Sequence, residues 1–285
     1  KKKYINKNFN YIKKIALKNK IKIISSNKIE KKKNIEKLKN ISPDLFLLIS
    51  FKIISKKIWS IPKYGSINIH PSILPNYKGP SPINWVIING EKYTGLTSFF
   101  INNKIDEGNI ILQKKIKISK YINYNTLYKK LSILSKYFVI KTINKIINKS
   151  FKKKIIKIKK KKIIYAYKIN NILSKINFNM SSNKIFRLIL GLDYKKSAWC
   201  FLNTKNNIYL LNIYKININI NKELISNNYN NIGYGRLLIY KKKFYIKTLD
   251  NFIELLICKL NINKIKLQFL DLYNGLQNKE NIFLF

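Results

Sequence analysis

The side chains best suited to proton-transfer chemistry cluster between Asn68 and Asp106. This stretch contains His70, the only histidine of the 285-residue chain. An amide such as that of Asn68 stabilises a developing oxyanion when it is aimed at it, and a histidine exchanges protons near neutral pH. Asp106 could fix the histidine tautomer, favour the imidazolium or accept a proton through water. Together these groups suit the transfer of an acyl group to an amine.

Ordinary structural roles compete with that chemistry. A lone histidine is more often a surface or satisfied core residue than a catalytic one, and asparagine and aspartate are common in turns. The spacing alone therefore does not decide between a catalytic site and a turn. The setting favours a site, because all six prolines fall between Pro43 and Pro82 and five of the nine glycines fall between Gly65 and Gly108.

Ser66–His70 is predicted to be the strand that carries the first two of these side chains. Its alternation places Asn68 and His70 on one face and Ile67 and Ile69 on the other. We also predict helices and strands around it: helices over Tyr11–Lys20, Lys31–Asn40, Ile53–Ser60, Ser81–Asn89 and Asn125–Lys149, and strands over Ile21–Ser25, Leu45–Ser50, Thr94–Ile101 and Asn109–Ile118. This order indicates an α/β domain with a Rossmann-like, mostly parallel sheet, on which ligands bind beyond the carboxyl ends of the strands.

A lysine-rich stretch separates this region from one of different texture. Lys152–Lys162 contains eight lysines in eleven residues and is predicted to be an exposed linker or charged arm, with or without an anionic partner. Beyond it we predict one helix and several short strands, namely Ser181–Leu190 and then Trp199–Leu202, Ile208–Tyr214, Gly235–Ile239, Phe244–Thr248 and Phe252–Lys259. Such strands suggest a small barrel or sandwich, an oligonucleotide-binding barrel being one candidate. The predicted segments are a catalytic domain over 1–149, a linker over 150–166 and a β-barrel domain over 167–285.

The charge of the chain points to a polyanionic partner. The sequence has 58 Lys and Arg against 12 Asp and Glu, a formal charge of +46, which favours RNA, DNA or an anionic surface. A compositional bias toward lysine would raise the charge without any partner. Arginine, which makes bidentate phosphate contacts, occurs only at Arg187 and Arg236.

Several other classes of protein are disfavoured. Cys200 and Cys258 are too few for a disulfide framework and lack metal-ligand spacing, so we expect a reducing cytoplasm and no metal. No apolar run approaches the roughly 18–20 residues that a membrane span needs. We therefore expect a cytoplasmic protein without a membrane partner.

The residues around the candidate trio match a known pattern. They read Asn68-Ile-His70-Pro-Ser72-Ile-Leu74-Pro75, then Lys78-Gly79, Pro82-Ile83, Gly90-Glu91, Thr94-Gly95-Leu-Thr97 and Asp106-Glu-Gly108. This order resembles the formyltransferase signature N-x-H-x-S-x-L-P…(R/K)-G…P-I…G-x-x-x-T-G-x-T…D-x-G. Within that superfamily, the stretch P-I-N-W-V-I-I-N-G-E-K-Y-T-G-L-T is most similar to the methionyl-tRNA formyltransferases.

The resemblance implies a reaction, a co-substrate and a partner. The protein would transfer a formyl group from 10-formyltetrahydrofolate to the α-amino group of methionine on initiator tRNA. The implied catalytic residues are Asn68, His70 and Asp106, and the implied folate-site residues are Ser72, Ile73, Leu74 and Pro75. The C-terminal barrel would help to hold the tRNA, with lysines as phosphate contacts, and we expect a monomer.

Two alternatives remain beside this interpretation. One is a formyltransferase that acts on a small amine, such as glycinamide ribonucleotide or an amino sugar. The other is an RNA-binding protein whose catalytic half has decayed. Nothing at the start of the chain matches the first strand and glycine-containing turn of the family, so we expect a catalytic domain that is incomplete at its N-terminus.

Overall fold

The structure is a computed structural model. It describes residues 11–24, 29–49, 53–150, 163–192, 197–220, 232–262, 265–276 and 282–285. These residues form two compact units. The first comprises the described residues up to Phe46 and from 53 to Ser66, and the second comprises Leu47–Ile49 and the described residues from Ile67 onward. The predicted arm Lys152–Lys162 lies outside the described residues.

The first unit contains three helical stretches: residues 11–18 (α1), Lys32–Asn40 (α2) and Lys56–Trp59 (α3). The carboxylate of Glu30 accepts hydrogen bonds from the Ser55 hydroxyl, at 2.6 Å, and the Ser55 N–H, at 3.1 Å. These bonds lower the pKa of Glu30. The predicted strand Ile21–Ser25 is wrong in its described part, where residues 21–24 have no regular structure. Strand preference depends on packing against neighbouring strands, and Ile21 is instead 58% exposed.

A four-stranded sheet carries the candidate site. Its strands are Phe46–Leu48 (β1), Ser66–His70 (β2), Tyr93–Phe100 (β3) and Ile110–Lys117 (β4), in the order β1-β2-β3-β4. The β2 bounds confirm the prediction. The sequence pattern predicts a mostly parallel sheet, whereas the β2–β3 and β3–β4 pairs are antiparallel. For β3 and β4 the reason is the short loop between them, because parallel neighbours need a crossover of a dozen or more residues.

Two helices cover this sheet. Pro82–Ile88 (α4) begins with proline at a position where the missing N–H costs no helical hydrogen bond. Tyr124–Ile147 (α5) is capped by the Asn123 side chain, which accepts the Thr126 N–H at 2.9 Å. The residues that α5 buries recur along one face: Leu127, Leu131, Phe138, Thr142 and Ile146. Leu127, Leu131 and Phe138 pack with apolar residues of β2, β3 and α4 into one core, and this core fixes the strands that carry the site.

The described residues of the C-terminal region form a seven-stranded sheet and three helices. The strands are Ala198–Asn203 (β5), Ile208–Asn217 (β6), Leu237–Tyr240 (β7), Lys243–Lys247 (β8), Phe252–Leu260 (β9), Leu267–Gln268 (β10) and Phe283–Leu284 (β11), and the helices are Asn171–Ser174 (α6), Ser182–Leu192 (α7) and Phe269–Asn274 (α8). The order is β11-β5-β6-β9-β8-β7, with β10 beside β9. The strand pairs of this sheet are antiparallel.

This sheet does not confirm the predicted oligonucleotide-binding barrel. Its two end strands, β11 and β7, approach each other only through an isolated bridge between Arg236 and Phe283. Because β11 is two residues long, it forms a ladder with β5 alone, and no closed barrel results among the described residues. Among all the residues that the structure describes, no helix is both long and apolar enough to span a membrane.

Candidate active site

β2 brings two of the predicted site residues to one face. Asn68 and His70 are two positions apart in this strand and therefore project to the same side. His70 pairs in register with Thr97 of β3 and is 5% exposed, whereas Asn68 is half-buried. Among the described residues, none makes a hydrogen bond to the Asn68 side chain. Its amide is therefore available to a ligand.

The His70 imidazole is held between a backbone carbonyl and a carboxylate. Its Nε2 lies 2.8 Å from the carbonyl oxygen of Tyr77. Its Nδ1 lies 3.7 Å from Oδ2 of Asp106, whose side chain is 12% exposed. Because a carbonyl oxygen only accepts hydrogen bonds, Nε2 carries the proton and donates it to Tyr77. In neutral His70 the Nδ1 lone pair consequently faces the Asp106 carboxylate.

Asp106 owes its position to the loop between β3 and β4. Its own backbone has φ of 53°, in the left-handed region where aspartate is one of the tolerated non-glycine residues. Gly108 follows where the loop folds back on β3, and a Cβ at this position would lie 1.5 Å from the Phe100 carbonyl oxygen. The spacing of aspartate and glycine in this motif therefore has a steric cause.

A second loop fixes the same carboxylate from the other side. The Gly79 N–H donates to Oδ2 of Asp106 at 2.9 Å. Gly79 has φ of +112°, and a Cβ there would lie 2.8 Å from the Ala166 carbonyl oxygen. Only glycine meets both conditions without strain. The peptide N–H can therefore point at the aspartate.

Lys78 lies between Tyr77 and Gly79 in the sequence and makes a third contact at the site. Its side chain is 3% exposed, and its Nζ donates to Oε1 of Glu107 at 2.8 Å. This hydrogen bond from Lys78 is the main cause of the lowered pKa of Glu107. Three consecutive residues, Tyr77, Lys78 and Gly79, thus contact His70, Glu107 and Asp106 respectively. The sequence motif includes Lys78 and Gly79, but their types and spacing indicate no role for either.

The chain beyond the lysine-rich stretch runs beside this loop. The Tyr77 N–H donates to the Ile164 carbonyl at 2.6 Å, and the Ala166 N–H donates to the Lys78 carbonyl at 2.7 Å. Ala166 is fully buried. The end of the predicted linker over 150–166 is therefore paired with the site loop, a contact for which the sequence contains no local signal.

The predicted folate-site residues form a turn that the sheet holds by hydrogen bonds. The Thr97 hydroxyl donates to the Ser72 carbonyl at 2.7 Å and accepts the Leu74 N–H at 3.1 Å. Gln113 Nε2 donates to the Leu74 carbonyl at 2.9 Å. Ser72 and Leu74 are buried, while Ile73 and Pro75 are half-buried. The turn is therefore fixed to the sheet at the Ser72 carbonyl and at both backbone groups of Leu74.

This arrangement can move one proton and stabilise one oxyanion. His70 Nδ1 and Asp106 Oδ2 are two acceptor atoms on one side of a buried imidazole, and both are fixed by backbone contacts. The Asn68 amide on the same strand face supplies a donor. Within the described residues, no group of three His, Cys, Asp or Glu side chains could hold a metal ion.

Comparison with known proteins identifies the class of protein to which this chain belongs. Residues 4–143 match the model of the formyl transferase family, and residues 168–277 match that of the formyl transferase C-terminal domain. The chain is 27% identical to WlaRD, a sugar 3N-formyl transferase whose crystal structure was determined in the presence of dTDP and 5-N-formyl-THF. The two structures superpose with a TM-score of 0.60 over 88% of this chain and 81% of that one. The protein is a formyltransferase with a Rossmann-like domain and a C-terminal domain built on an antiparallel sheet.

The sequence relatives narrow the class. The methionyl-tRNA formyltransferase of Flavobacterium psychrophilum is 32% identical over 97% of this chain and 85% of its own length. That of Flavobacterium johnsoniae is 34% identical over 94% of this chain and 82% of its own length. The chain belongs to the methionyl-tRNA formyltransferase family, which confirms the resemblance found in the sequence.

Proposed function

We propose that this protein transfers a formyl group from 10-formyltetrahydrofolate to the α-amino group of methionine on initiator tRNA, for translation initiation. Asn68, His70 and Asp106 are the proposed catalytic residues. The observation that carries the proposal is the pair of acceptor atoms, Nδ1 of His70 and Oδ2 of Asp106, held 3.7 Å apart on the strand face of Asn68. An attacking amine needs an acceptor for its proton, and these atoms provide one.

The three side chains share two tasks, which are to stabilise an oxyanion and to accept a proton. The Asn68 amide donates to the oxygen of the formyl group as negative charge develops there, since donors fixed in advance stabilise such an oxyanion. His70 Nδ1 or Asp106 Oδ2 takes the proton that the amine nitrogen loses as its bond to carbon forms. The bond between that carbon and N10 of the co-substrate then breaks, and the same acceptor gives the proton to N10, so that tetrahydrofolate leaves. The Tyr77 carbonyl and the Gly79 N–H hold those two acceptors in place.

The turn Ser72–Pro75 fits the proposed role of a folate contact. Thr97 and Gln113 bond the Ser72 carbonyl and both backbone groups of Leu74. The side chains of Ile73 and Pro75 are half-buried, and ligand pockets are mostly lined by such apolar groups. The co-substrate supplies the formyl group when bound, and this turn contributes shape rather than charge.

The test is formyl transfer to methionyl initiator tRNA by the protein and its variants. We expect His70→Ala to lower the rate by roughly 10²–10⁴-fold, the usual contribution of a positioned acid–base group. Asn68→Ala should lose a comparable factor through the oxyanion, while the exposed Asn206→Ala serves as its control. Binding of the tRNA without formyl transfer by any form would favour the decayed RNA-binding protein instead.

Formyl transfer to a small amine is the second candidate. It is favoured by the similarity to WlaRD, a sugar 3N-formyl transferase, at a TM-score of 0.60. The same three side chains would serve it, because the attacking group is again an amine. Transfer to a nucleotide-linked amino sugar with no transfer to methionyl-tRNA would establish this candidate. The formal charge of +46 favours the tRNA.

A further inference from the structure

Four aromatic side chains form a patch on the outer face of the C-terminal sheet. Residues of β5 alternate between the buried core and this face, which places Trp199 and Phe201 outward. Phe283 of β11 and the neighbouring Phe285 lie beside them. Ring centroids are 5.3 Å apart for Trp199 and Phe201, 5.4 Å for Phe201 and Phe285, and 5.6 Å for Phe283 and Phe285. The rings therefore form one continuous surface, called the aromatic patch below.

Two cationic side chains lie against the aromatic patch. The Lys175 ammonium is 5.8 Å from the Trp199 ring centroid, 5.3 Å from that of Phe201 and 5.7 Å from that of Phe285. The Arg236 guanidinium carbon is 5.5 Å from the Phe283 centroid. These are cation–π distances. Positive charge is thus held beside the planar rings.

A concave surface adjoins the aromatic patch. A cavity of about 420 Å³ is lined by residues that include Lys175, Asn177, Asn179, Tyr234 and Phe285. Its volume is within the range of small-ligand pockets. Phe285 is 42% exposed and Tyr234 is 50% exposed, so planar groups can reach both rings. At the same place, the Asn177 side-chain oxygen accepts the Asn179 N–H at 2.9 Å, which leaves the Asn177 amide N–H groups as donors for a ligand.

We propose that the aromatic patch and its cavity bind an unpaired nucleotide of an RNA. Aromatic rings are stacking platforms for bases, and neighbouring cations contact the backbone phosphates. The base would stack on Phe285 or Phe201, with its phosphate at Lys175 and Arg236. The proposal rests on the proposed function only in naming RNA as the nucleic acid. A second copy of this chain would instead bring the Lys175 and Arg236 charges of two molecules together, which disfavours self-association.

The test compares single-stranded and double-stranded RNA. We would measure the affinity of the full chain for a fluorescent oligoribonucleotide of about ten unpaired nucleotides, and for a duplex with the same number of phosphates. Stacking contributes about 1–3 kcal/mol per base, which is roughly 5–150-fold in affinity. We expect the double variant Phe201→Leu/Phe285→Leu to lose at least about fivefold for the single strand. Duplex binding should change by less than about twofold.

Matched controls separate stacking from charge and from unfolding. Tyr137→Leu removes an aromatic ring that is 75% exposed on α5 and should leave both affinities unchanged. Lys175→Gln should weaken single-strand binding and reduce its salt slope by about one phosphate contact, whereas Lys136→Gln should do so less. Phe285→Leu alone, at a half-exposed ring, keeps the test valid if the double variant unfolds.

The outcomes distinguish this proposal from the proposed function. The aromatic patch is refuted as a base-binding surface if the ring variants bind the single strand as the unchanged protein does, or if they lose single-strand and duplex affinity equally. His70→Ala should bind the single strand normally, because it lies outside the patch. If the unchanged protein transferred no formyl group but bound the single strand, the result would therefore count against the proposed function alone.

Discussion

The Nε2–H group of His70 donates a hydrogen bond to the backbone carbonyl of Tyr77, with 2.8 Å between nitrogen and oxygen. A backbone carbonyl cannot be replaced by changing a side chain, so the tautomer of His70 is set by the path of the loop rather than by a side-chain partner. The atom left unprotonated in the neutral ring is Nδ1, which faces Asp106. The orientation of the proposed base is thus encoded in backbone geometry.

Replacing Asp106 should impair chemistry more than folding. Asp106→Asn keeps an oxygen that can accept the Gly79 N–H but removes the negative charge beside His70. We expect the rate of formyl transfer to fall by about 10²-fold or more, with a thermal midpoint close to that of the unchanged protein. Asp271→Asn, at an exposed aspartate of α8, is the control. Equal rates for the two variants would remove Asp106 from the mechanism.

Removing one charge of the Lys78–Glu107 pair should lower the free energy of unfolding more than removing both charges. Glu107→Gln leaves the buried Lys78 ammonium with a neutral acceptor, for which we expect a loss of about 1–3 kcal/mol in the free energy of unfolding. In the double variant Lys78→Met/Glu107→Gln no buried charge remains at this pair, and neutral replacement of a buried pair is often well tolerated. Denaturant unfolding should therefore find the double variant more stable than Glu107→Gln. If Glu107→Gln were the more stable of the two variants, the buried Lys78 charge would not be the source of the lost stability.

The Lys78–Glu107 pair should make the free energy of unfolding depend on pH in the acidic range. Hydrogen bonding by Lys78 lowers the pKa of Glu107 in the folded protein below its ordinary value of 4.5. A carboxyl whose folded pKa is lowered contributes stability above its unfolded pKa, and this is lost as the pH falls through the folded pKa. The stability difference between the unchanged protein and Glu107→Gln should therefore be constant near neutral pH and shrink below about pH 4.5. Urea unfolding between about pH 7 and about pH 3.5 measures it, and a difference that grew in acid would have the wrong sign.

A methyl group at Gly108 should displace Asp106. Because a Cβ there would lie 1.5 Å from the Phe100 carbonyl, Gly108→Ala forces the loop away from β3. We expect a loss of at least about 2 kcal/mol in unfolding free energy together with loss of formyl transfer. At Gly233 the nearest atom to an added Cβ is 4.0 Å away, so Gly233→Ala should alter neither quantity. Full activity in Gly108→Ala would show that the loop position is irrelevant to catalysis.

The Thr97 hydroxyl should matter for the formyl donor. Thr97→Val leaves the Ser72 carbonyl and the Leu74 N–H without their partner, at a cost of about 1–3 kcal/mol. The shifted turn should raise KM for the formyl donor more than it lowers kcat. Thr97→Ser keeps the hydroxyl and should retain KM. Steady-state kinetics of both variants decide whether Ser72–Pro75 contacts the donor, since an unchanged KM in Thr97→Val would place the donor elsewhere.

Local pattern determined much of the secondary structure and the location of the candidate site. The alternation of Ser66–His70 predicts β2 and its faces, and the pattern over Asn125–Lys149 predicts the helix that covers the sheet as α5. Both features are encoded by residues within a few positions of one another, which a sequence displays directly. The motif from Asn68 to Gly108 likewise indicates the family through residue types and spacings alone.

The contacts that orient the site were decided by tertiary structure. The donation from His70 to Tyr77, the Lys78–Glu107 pair and the pairing of Ile164 and Ala166 with the site loop join residues that local periodicity does not connect. The antiparallel sheet and the aromatic patch on β5 and β11 depend in the same way on which strands become neighbours. Such partnerships follow from burial and register across the whole molecule, because many distant residues could satisfy any one local pattern and packing selects among them.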